Sequence, residues 1–442
     1  MESKLEDNIT IIGAGYVGLC TGAVLLELGH HINFLDLNTS RINTILEGKS
    51  PVYEPGLDQI IREGVSEGRI TATADYMNVS SSNVFIISVN TPIDEKYEVK
   101  LDYLISACNS LARVIKKDSL VILRSTVPPL TLREYVVPIF EKSGHKTDRD
   151  LFYAVIPERL AEGHALADMK ENPIIIGASN EIAYNRVEKL WNKLNLQTIR
   201  VSWEEAELTK LTDNLWIDVN IAMANEIALV SEKVGADARK VIQAANTLKK
   251  GSGYVNILMP GIGVGGSCLP KDPHILSAFS RKVGVSLKLP GTSRAVNDQM
   301  PDHMYDLIME NLTHEYSKRI ILLGLSFNAN SGDMRYSPSI YLNRRLQESG
   351  FQVYGYDPLV NKSELSELSG VTILDSEEEF FETLSSVDTV AVVAAHASFK
   401  QKKKEMLEHM GGMLVVDGRY LFELGEVSSA GAKYVAVGVG YK

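Results

Sequence analysis

The chain has 442 residues, of which 45% are hydrophobic and 23% charged, with a formal net charge of -11. That length asks for two or three cores rather than one, and the acidic balance excludes a general nucleic-acid binder, which needs a basic surface to neutralise phosphates. The polar, acidic start MESKLEDNIT carries no signal-peptide pattern and no apolar run is long enough to span a bilayer, so a cytoplasmic protein with no membrane partner is expected.

Strand-like apolar runs at 9–12, 32–35, 70–74, 84–89, 120–123, 152–156 and 174–176 alternate with helical patterns. This alternation predicts a Rossmann-type parallel sheet, covered by helices on both faces, over residues 1–200. The first run leads into Gly13-Ala14-Gly15-Tyr16-Val17-Gly18 and then an apolar helix. In that arrangement Gly13 permits the tight turn, Gly15 lets the backbone approach a pyrophosphate, and Gly18 allows close helix packing. Asp36, at the end of the second run, is placed to accept hydrogen bonds from ribose hydroxyls and to repel a 2'-phosphate, so NAD is expected rather than NADP.

From residue 204 the period changes. Leu208, Leu211, Leu215, Val219, Ala222 and Ile227 recur at helical spacing, predicting one long helix that stops at Gly235 before a new N-cap at Asp237. Such a helix predicts a connector and dimer interface within a central helical domain over 201–310. After Lys318 the alternating pattern returns at 320–323, 353–356, 371–374, 390–394, 414–416 and 435–439, which predicts a second, smaller αβ domain over 311–442. Its first run is followed by Gly324-Leu325-Ser326-Phe327 rather than a dinucleotide pattern, so another ligand is expected there. The expected fold class is therefore α/β, with two Rossmann-like parallel-sheet domains joined by a central helical domain containing one long helix.

Cys20, Cys108 and Cys268 match neither a disulfide framework nor a metal site, and no metal is expected. Cys268 stands in a glycine- and proline-rich stretch, residues 260–273, just before a helical pattern. Amides at a helix start favour a thiolate, which makes Cys268 a candidate nucleophile; a small buried cysteine in a turn is the competing reading.

With the glycine turn, the stretches Tyr53-Glu-Pro-Gly-Leu57, Val89-Asn-Thr-Pro92, Ser125-Thr-Val-Pro128, Pro157-Glu-Arg-Leu-Ala-Glu-Gly163, Lys210-x-x-x-Asn214, Asn225-Glu226, the Cys268 loop and Gly332-Asp-Met-Arg-Tyr-Ser-Pro338 resemble the UDP-glucose / UDP-N-acetylmannosamine 6-dehydrogenase family of nucleotide-sugar dehydrogenases. The resemblance runs from residue 8 to the C-terminus. It implies an NAD-dependent, four-electron oxidation of the C6 primary alcohol of a UDP-sugar to the uronate by a homodimer. Cys268 would attack the aldehyde left by a first hydride transfer, a second NAD would oxidise the thiohemiacetal to a thioester, and water would hydrolyse it.

The resemblance also implies roles. Cys268, Lys210, Asn214, Asp272, Thr126 and Glu162 would be catalytic. Gly13, Gly15, Tyr16, Val17, Gly18, Asp36, Arg41, Thr91, Thr126 and Lys271 would bind the cofactor. Glu158, Arg159, Leu160, Lys210, Asn214, Gly265, Arg335 and Arg419 would bind the substrate. If 158–162 is helical, Glu158 lies one turn before Glu162.

Two departures from the family pattern bear on the substrate: Asn328 replaces a lysine, and no arginine stands in 251–255 before the cysteine loop. Arg159, 218–222, 255–258 and Asp272-Pro273 resemble the N-acetylmannosamine branch, whereas Ser267 and Lys271 resemble UDP-glucose enzymes. The balance favours a UDP-N-acetylhexosamine, with UDP-glucose as the alternative. A β-hydroxyacid dehydrogenase, which needs neither Cys268 nor a third domain, and a non-catalytic NAD sensor are the remaining readings.

Overall fold

The computed structural model describes residues 8–440 except 252, 314–316, 362–364 and 366, so most of the acidic start read above, and Ser252 of the 251–255 stretch, lie outside the described residues. The chain divides into two compact units, Met1–Asp213 and Asn214–Lys442.

In the first unit eight strands form one sheet: β1 Asn8–Ile12, β2 His31–Leu35, β3 Ile70–Thr73, β4 Val84–Ile87, β5 Ser119–Leu123, β6 Leu151–Val155, β7 Ile174–Ala178 and β8 Thr198–Val201. Their order is β3-β2-β1-β4-β5-β6-β7-β8. The first six strands are parallel in doubly wound order, which opens a crevice beyond the carboxyl ends of β1 and β4. The strands read as unbroken apolar runs because both faces are covered. Ile9, Ile11, Phe34 and Ile86 pack into the core on one face, and Ile12, Leu35, Phe85 and Ile87 into the core on the other.

Two details differ from the sequence expectation. β7 runs antiparallel to β6. The edge strand β8 went unpredicted because Thr198-Ile199-Arg200-Val201 has no apolar run, and even Ile199 is 37% exposed.

The second unit repeats the order. β11 Arg319–Leu323, β12 Gln352–Tyr356, β13 Thr372–Ile373, β14 Thr389–Val392, β15 Leu414–Asp417 and β16 Lys433–Ala436 form an all-parallel sheet, β13-β12-β11-β14-β15-β16. A short antiparallel hairpin, β9 Lys249–Lys250 and β10 Gly253–Tyr254, precedes it and was not anticipated, being polar and only two residues per strand.

The long helix is Trp203–Val234. Gly235, at φ 71°, ends it, because a left-handed residue breaks the helical path at no steric cost to glycine. Asp237 then caps Ala238–Ala245 by accepting from Arg239 N at 3.0 Å, as its position predicts. The apolar stripe read from the sequence is not one face: Leu211 and Ala222 are buried, whereas Leu208 and Ile227 are exposed. The outward apolar row is instead Trp216, Met223, Ile227, Val230 and Val234.

Candidate active site

The glycine turn leaves β1 with Gly13 at φ 99°, a conformation that side chains resist. A Cβ at Gly13 would lie 2.7 Å from Ser88 O, and one at Gly18 only 2.0 Å from Gly13 O, so close packing demands both glycines. At Gly15 the space is open, with nothing within 4 Å. Gly15 is also the N-cap of the helix Tyr16–Glu27 and supplies no side-chain cap, which leaves the amides of the first turn, Val17 and Gly18 among them, facing the switch-point crevice. The open space and uncapped amides can accommodate a pyrophosphate.

Asp36 closes the same site. Its Oδ2 accepts from Ala14 N and Arg41 Nη1, both at 2.9 Å, and its Oδ1 from Asn38 N at 2.9 Å. A carboxylate has about four acceptor positions, so one remains for a ribose hydroxyl. Thr91 Oγ1 donates to Thr126 O at 2.7 Å, which joins the loops that follow β4 and β5. The residues present therefore fit NAD. We expect Asp36→Ala to weaken NAD binding by ~2 kcal/mol and to narrow the preference over NADP; titration of both cofactors by fluorescence checks it, and unchanged affinities would refute the placement.

The loop 156–161 is irregular, not helical, so Glu158 and Glu162 do not share a helix face. Side chains take the amides that a helix would have used: Leu160 N donates to Glu158, Ala161 N to Asp168 Oδ2 at 2.7 Å, and Gly163 N to Glu54 Oε2 at 2.8 Å. Glu158 also meets Lys210 Nζ at 3.2 Å, with both side chains 7% exposed. Arg159 Nε donates to Asp213 Oδ2 at 2.8 Å. Glu162 and Thr126 are half-buried.

In the second unit Asn214, one turn along the helix from Lys210, donates to Asp272 Oδ2 at 2.6 Å. Asp272 is fully buried in the first turn of the helix Asp272–Lys282, and Lys271 Nζ stands 3.8 Å from its other oxygen. The amides of Lys271 and Asp272 both donate to Cys268 O, which sets Cys268 in the turn entering that helix, where the positive end of the dipole favours a thiolate. Cys268 is half-buried, and Ser267 Oγ is 3.4 Å from its sulfur.

The cysteine loop is held from both ends. A Cβ at Gly265 would lie 2.5 Å from Phe327 Cβ and 2.6 Å from Tyr336 O. Gly266 N donates to Arg335 O at 2.8 Å, while the Arg335 guanidinium is bonded to Asp333. Arg419 donates to the carbonyls of Val393 and Gly263 and is brought down to about 10 by burial. Upstream, Asn220 of the long helix bonds Asn256 O and Leu258 N, and Asn225 bonds Gly261 N. Buried Asp218 is bonded by Arg294, Ser293 and Asn297. The stretches 218–222 and 255–258, read above as markers of a sugar branch, thus pack on each other to carry the loop.

The chain matches the UDP-glucose/GDP-mannose dehydrogenase family in three consecutive parts: its NAD binding domain over residues 7–195, its central domain over 204–299 and its UDP binding domain over 321–423. It is 32% identical over 435 residues to UDP-glucose 6-dehydrogenase YwqF of Bacillus subtilis (strain 168), covering 98% of this chain and 97% of that one. The chain belongs to the UDP-glucose/GDP-mannose dehydrogenase family.

Solved structures agree. A UDP-D-ManNAc dehydrogenase from Pyrococcus horikoshii is similar with TM-score 0.86 and 30% identity, covering 98% of this chain and 100% of that one. A UDP-glucose dehydrogenase from Pyrobaculum islandicum gives TM-score 0.88 and 28% identity, covering 100% and 99%. This UDP-glucose/GDP-mannose dehydrogenase family member is accordingly an NAD-dependent UDP-sugar dehydrogenase.

Two residues beside the expected set emerge only in three dimensions. Arg124, buried at the end of β5, donates from Nε to Thr21 Oγ1 at 2.8 Å; burial holds it below the usual guanidinium range and the Glu158 charge acts against that. Its only sequence signal is a cation ending an apolar strand. Glu207 lies three residues before Lys210, is 3% exposed and accepts from Leu132 N at 2.8 Å, tying the long helix to the loop after Thr126.

The second Glu207 oxygen is buried without a hydrogen-bond partner among the described residues, and burial pushes the carboxyl up to about 7. A carboxyl raised on folding contributes stability below the ordinary glutamate range and loses it as pH rises through 7. Glu207→Gln therefore gains on the wild type between pH 5 and pH 8, by ~3 kcal/mol at most. Urea unfolding at both pH values checks this, and a pH-independent difference would sink it.

Proposed function

We propose that this dehydrogenase oxidises the C6 alcohol of a UDP-sugar to the carboxylate in one four-electron sequence, with Cys268 as the nucleophile. The observation that carries this reading is Cys268 at a helix start, followed one turn on by a buried Asp272 bonded to Asn214. Gly13, Gly15, Tyr16, Val17, Gly18, Asp36, Arg41, Thr91, Thr126 and Lys271 would hold NAD. Bound NAD supplies the two-electron acceptor, used twice per product.

Lys210, buried beside Glu158, stabilises negative charge developing on the substrate oxygen. The Cys268 thiolate adds to the aldehyde carbon, forming a C–S bond while the carbonyl oxygen gains a proton. After the second oxidation, water adds to the thioester carbonyl, the C–S bond breaks, and the sulfur leaves as thiolate. Asn214 keeps one amide hydrogen on Asp272 and has a second for the oxyanion. Asp272, with Thr126 and Glu162, handles the water and its proton. Glu158 and Arg159 act through their partners, orienting Lys210 and the loop that carries Leu160.

The reading divides the chain into an NAD domain over 1–200, a central domain over 201–310 and a UDP-sugar domain over 311–442, which includes Arg335 and Arg419. For the sugar, Arg159 and Asp272-Pro273 favour UDP-N-acetylmannosamine or a related UDP-N-acetylhexosamine. Ser267 beside the thiol and Lys271 favour UDP-glucose as the second reading. Incubating the enzyme with NAD and each of UDP-glucose, UDP-N-acetylglucosamine, UDP-N-acetylmannosamine and UDP-N-acetylgalactosamine tests this. Two NADH per sugar are expected; one would favour a simple hydroxyacid-type oxidation and none a sensor.

The assembly read here is a cytoplasmic homodimer formed through the Trp216, Met223, Ile227, Val230 and Val234 row, where heptad-like spacing supplies an apolar stripe. Ile227→Glu with Val230→Glu should convert the dimer to monomer in sedimentation velocity. A dimer that survives both charges has its interface elsewhere.

A further inference from the structure

The motif Tyr53-Glu54-Pro55-Gly56 plays no part in the chemistry above, yet Glu54 is a buried carboxylate, 5% exposed, while its neighbour Tyr53 is 64% exposed. Gly56 at φ 82° turns the chain into the helix Leu57–Ser66, and Leu57 N donates to Glu54 O at 3.1 Å, so the backbone under the carboxylate is fixed. One oxygen of that carboxylate receives two donors from different elements. Tyr16 OH donates to Glu54 Oε2 at 2.5 Å, and Gly163 N donates to the same atom at 2.8 Å. Gly163 N also lies 3.3 Å from Tyr16 OH.

Tyr16 belongs to the glycine turn and opens the helix whose N-terminus forms the pyrophosphate cradle. Gly163 ends the loop bearing Glu158, Arg159, Leu160 and Glu162. The side-chain anchors on Ala161 and Leu160 come from Asp168 and Glu158, within this loop or the helix that follows it. Glu54 is the bracket that ties the loop to the turn. Burial, then the bond to Glu54, holds the Tyr16 phenol far above its ordinary range, so it stays a donor at every working pH.

We propose that Glu54 is a positioning residue that couples the dinucleotide turn to the 157–163 loop, so that NAD(H) on the one sets the affinity of the other for the nucleotide sugar. A ligand that orders Tyr16 orders the shared carboxylate and, through Gly163, the loop. By linkage the effect is reciprocal. This rests on the reading of 157–163 as a substrate loop.

The test uses the full enzyme with NADH, which cannot accept electrons from the sugar alcohol, so the ternary complex is stable. Calorimetric titration with UDP-N-acetylmannosamine and with UDP-glucose, each with and without saturating NADH, gives the coupling ratio. In the wild type NADH should tighten the UDP-sugar that binds by about 5- to 20-fold. Tyr16→Phe removes one donor and keeps the ring, and its ratio should fall below about twofold. Glu54→Gln keeps an acceptor oxygen and should give an intermediate ratio; kcat at saturating substrate should fall less than kcat/KM in both variants. A wild-type ratio near one, or a Tyr16→Phe ratio equal to the wild type, overturns the coupling while leaving the functional reading intact. Failure of every UDP-sugar to bind the wild type overturns the functional reading itself.

Discussion

Cys268→Ser should abolish uronate production, lowering kcat by at least ~10³-fold, while NAD and UDP-sugar still bind within about threefold of the wild type. The serine hydroxyl keeps the shape of the turn, whose bonds to Lys271 and Asp272 come from the backbone carbonyl of residue 268 and not from its side chain. What is lost is acidity and leaving ability: an alkyl hydroxyl is a far weaker acid than a thiol and leaves poorly from an ester. Acid-quenched mass spectrometry should find little free product. Cys20→Ser and Cys108→Ser are the controls, because both thiols are fully buried within helices of the first unit, and burial pushes Cys108 up to about 12. Near-wild-type turnover by Cys268→Ser, with either control dead, would reassign the nucleophile.

Lys210→Met should both stop catalysis and destabilise the fold. It strands the Glu158 carboxylate, 7% exposed, without its ammonium, and breaking one side of a buried pair costs ~3–5 kcal/mol. The double variant Lys210→Met with Glu158→Gln removes the stranded charge and should recover part of that loss in urea unfolding. Its kcat should stay down by at least ~10²-fold, since no cation then faces the developing oxyanion. Recovery of activity along with stability would make Lys210 a structural residue only.

The sheets and the long helix were legible because burial on both faces forces unbroken apolar strands, and because Gly235 and Asp237 are strong helix punctuation. β8 and the β9–β10 hairpin were not, since edge and hairpin strands need no apolar run. The first-unit and second-unit candidates fall into local clusters, Glu158 with Lys210 and Asn214 with Asp272. The irregular path of 156–161 was beyond a propensity argument, because side chains take its amides, Glu158 that of Leu160 and Asp168 that of Ala161, while Glu54 takes that of Gly163 just beyond. The apolar positions read along the long helix divide between buried and exposed, because sequence spacing gives periodicity but not which positions find a partner within the chain.

The strand order of the first unit recurs in the second, and so does a carboxylate just after its second strand. Asp357 accepts from Leu325 N at 2.7 Å and from Ser326 N at 3.1 Å, much as Asp36 accepts from Ala14 N. Asp36, though, is 12% exposed, whereas the Asp357 side chain is wholly shielded and bonded to His396 Nε2 at 2.9 Å. Asn330 N donates to the other ring nitrogen, so His396 Nδ1 is unprotonated and Nε2 carries the hydrogen toward Asp357. The same scaffold thus leaves an acceptor position open on its acidic post in one copy and consumes the post as an internal rivet in the other. An attempt to graft a second dinucleotide site by rewriting only the Gly324 turn would fail at this rivet, and the pair Asp357 and His396 would have to be redesigned with it.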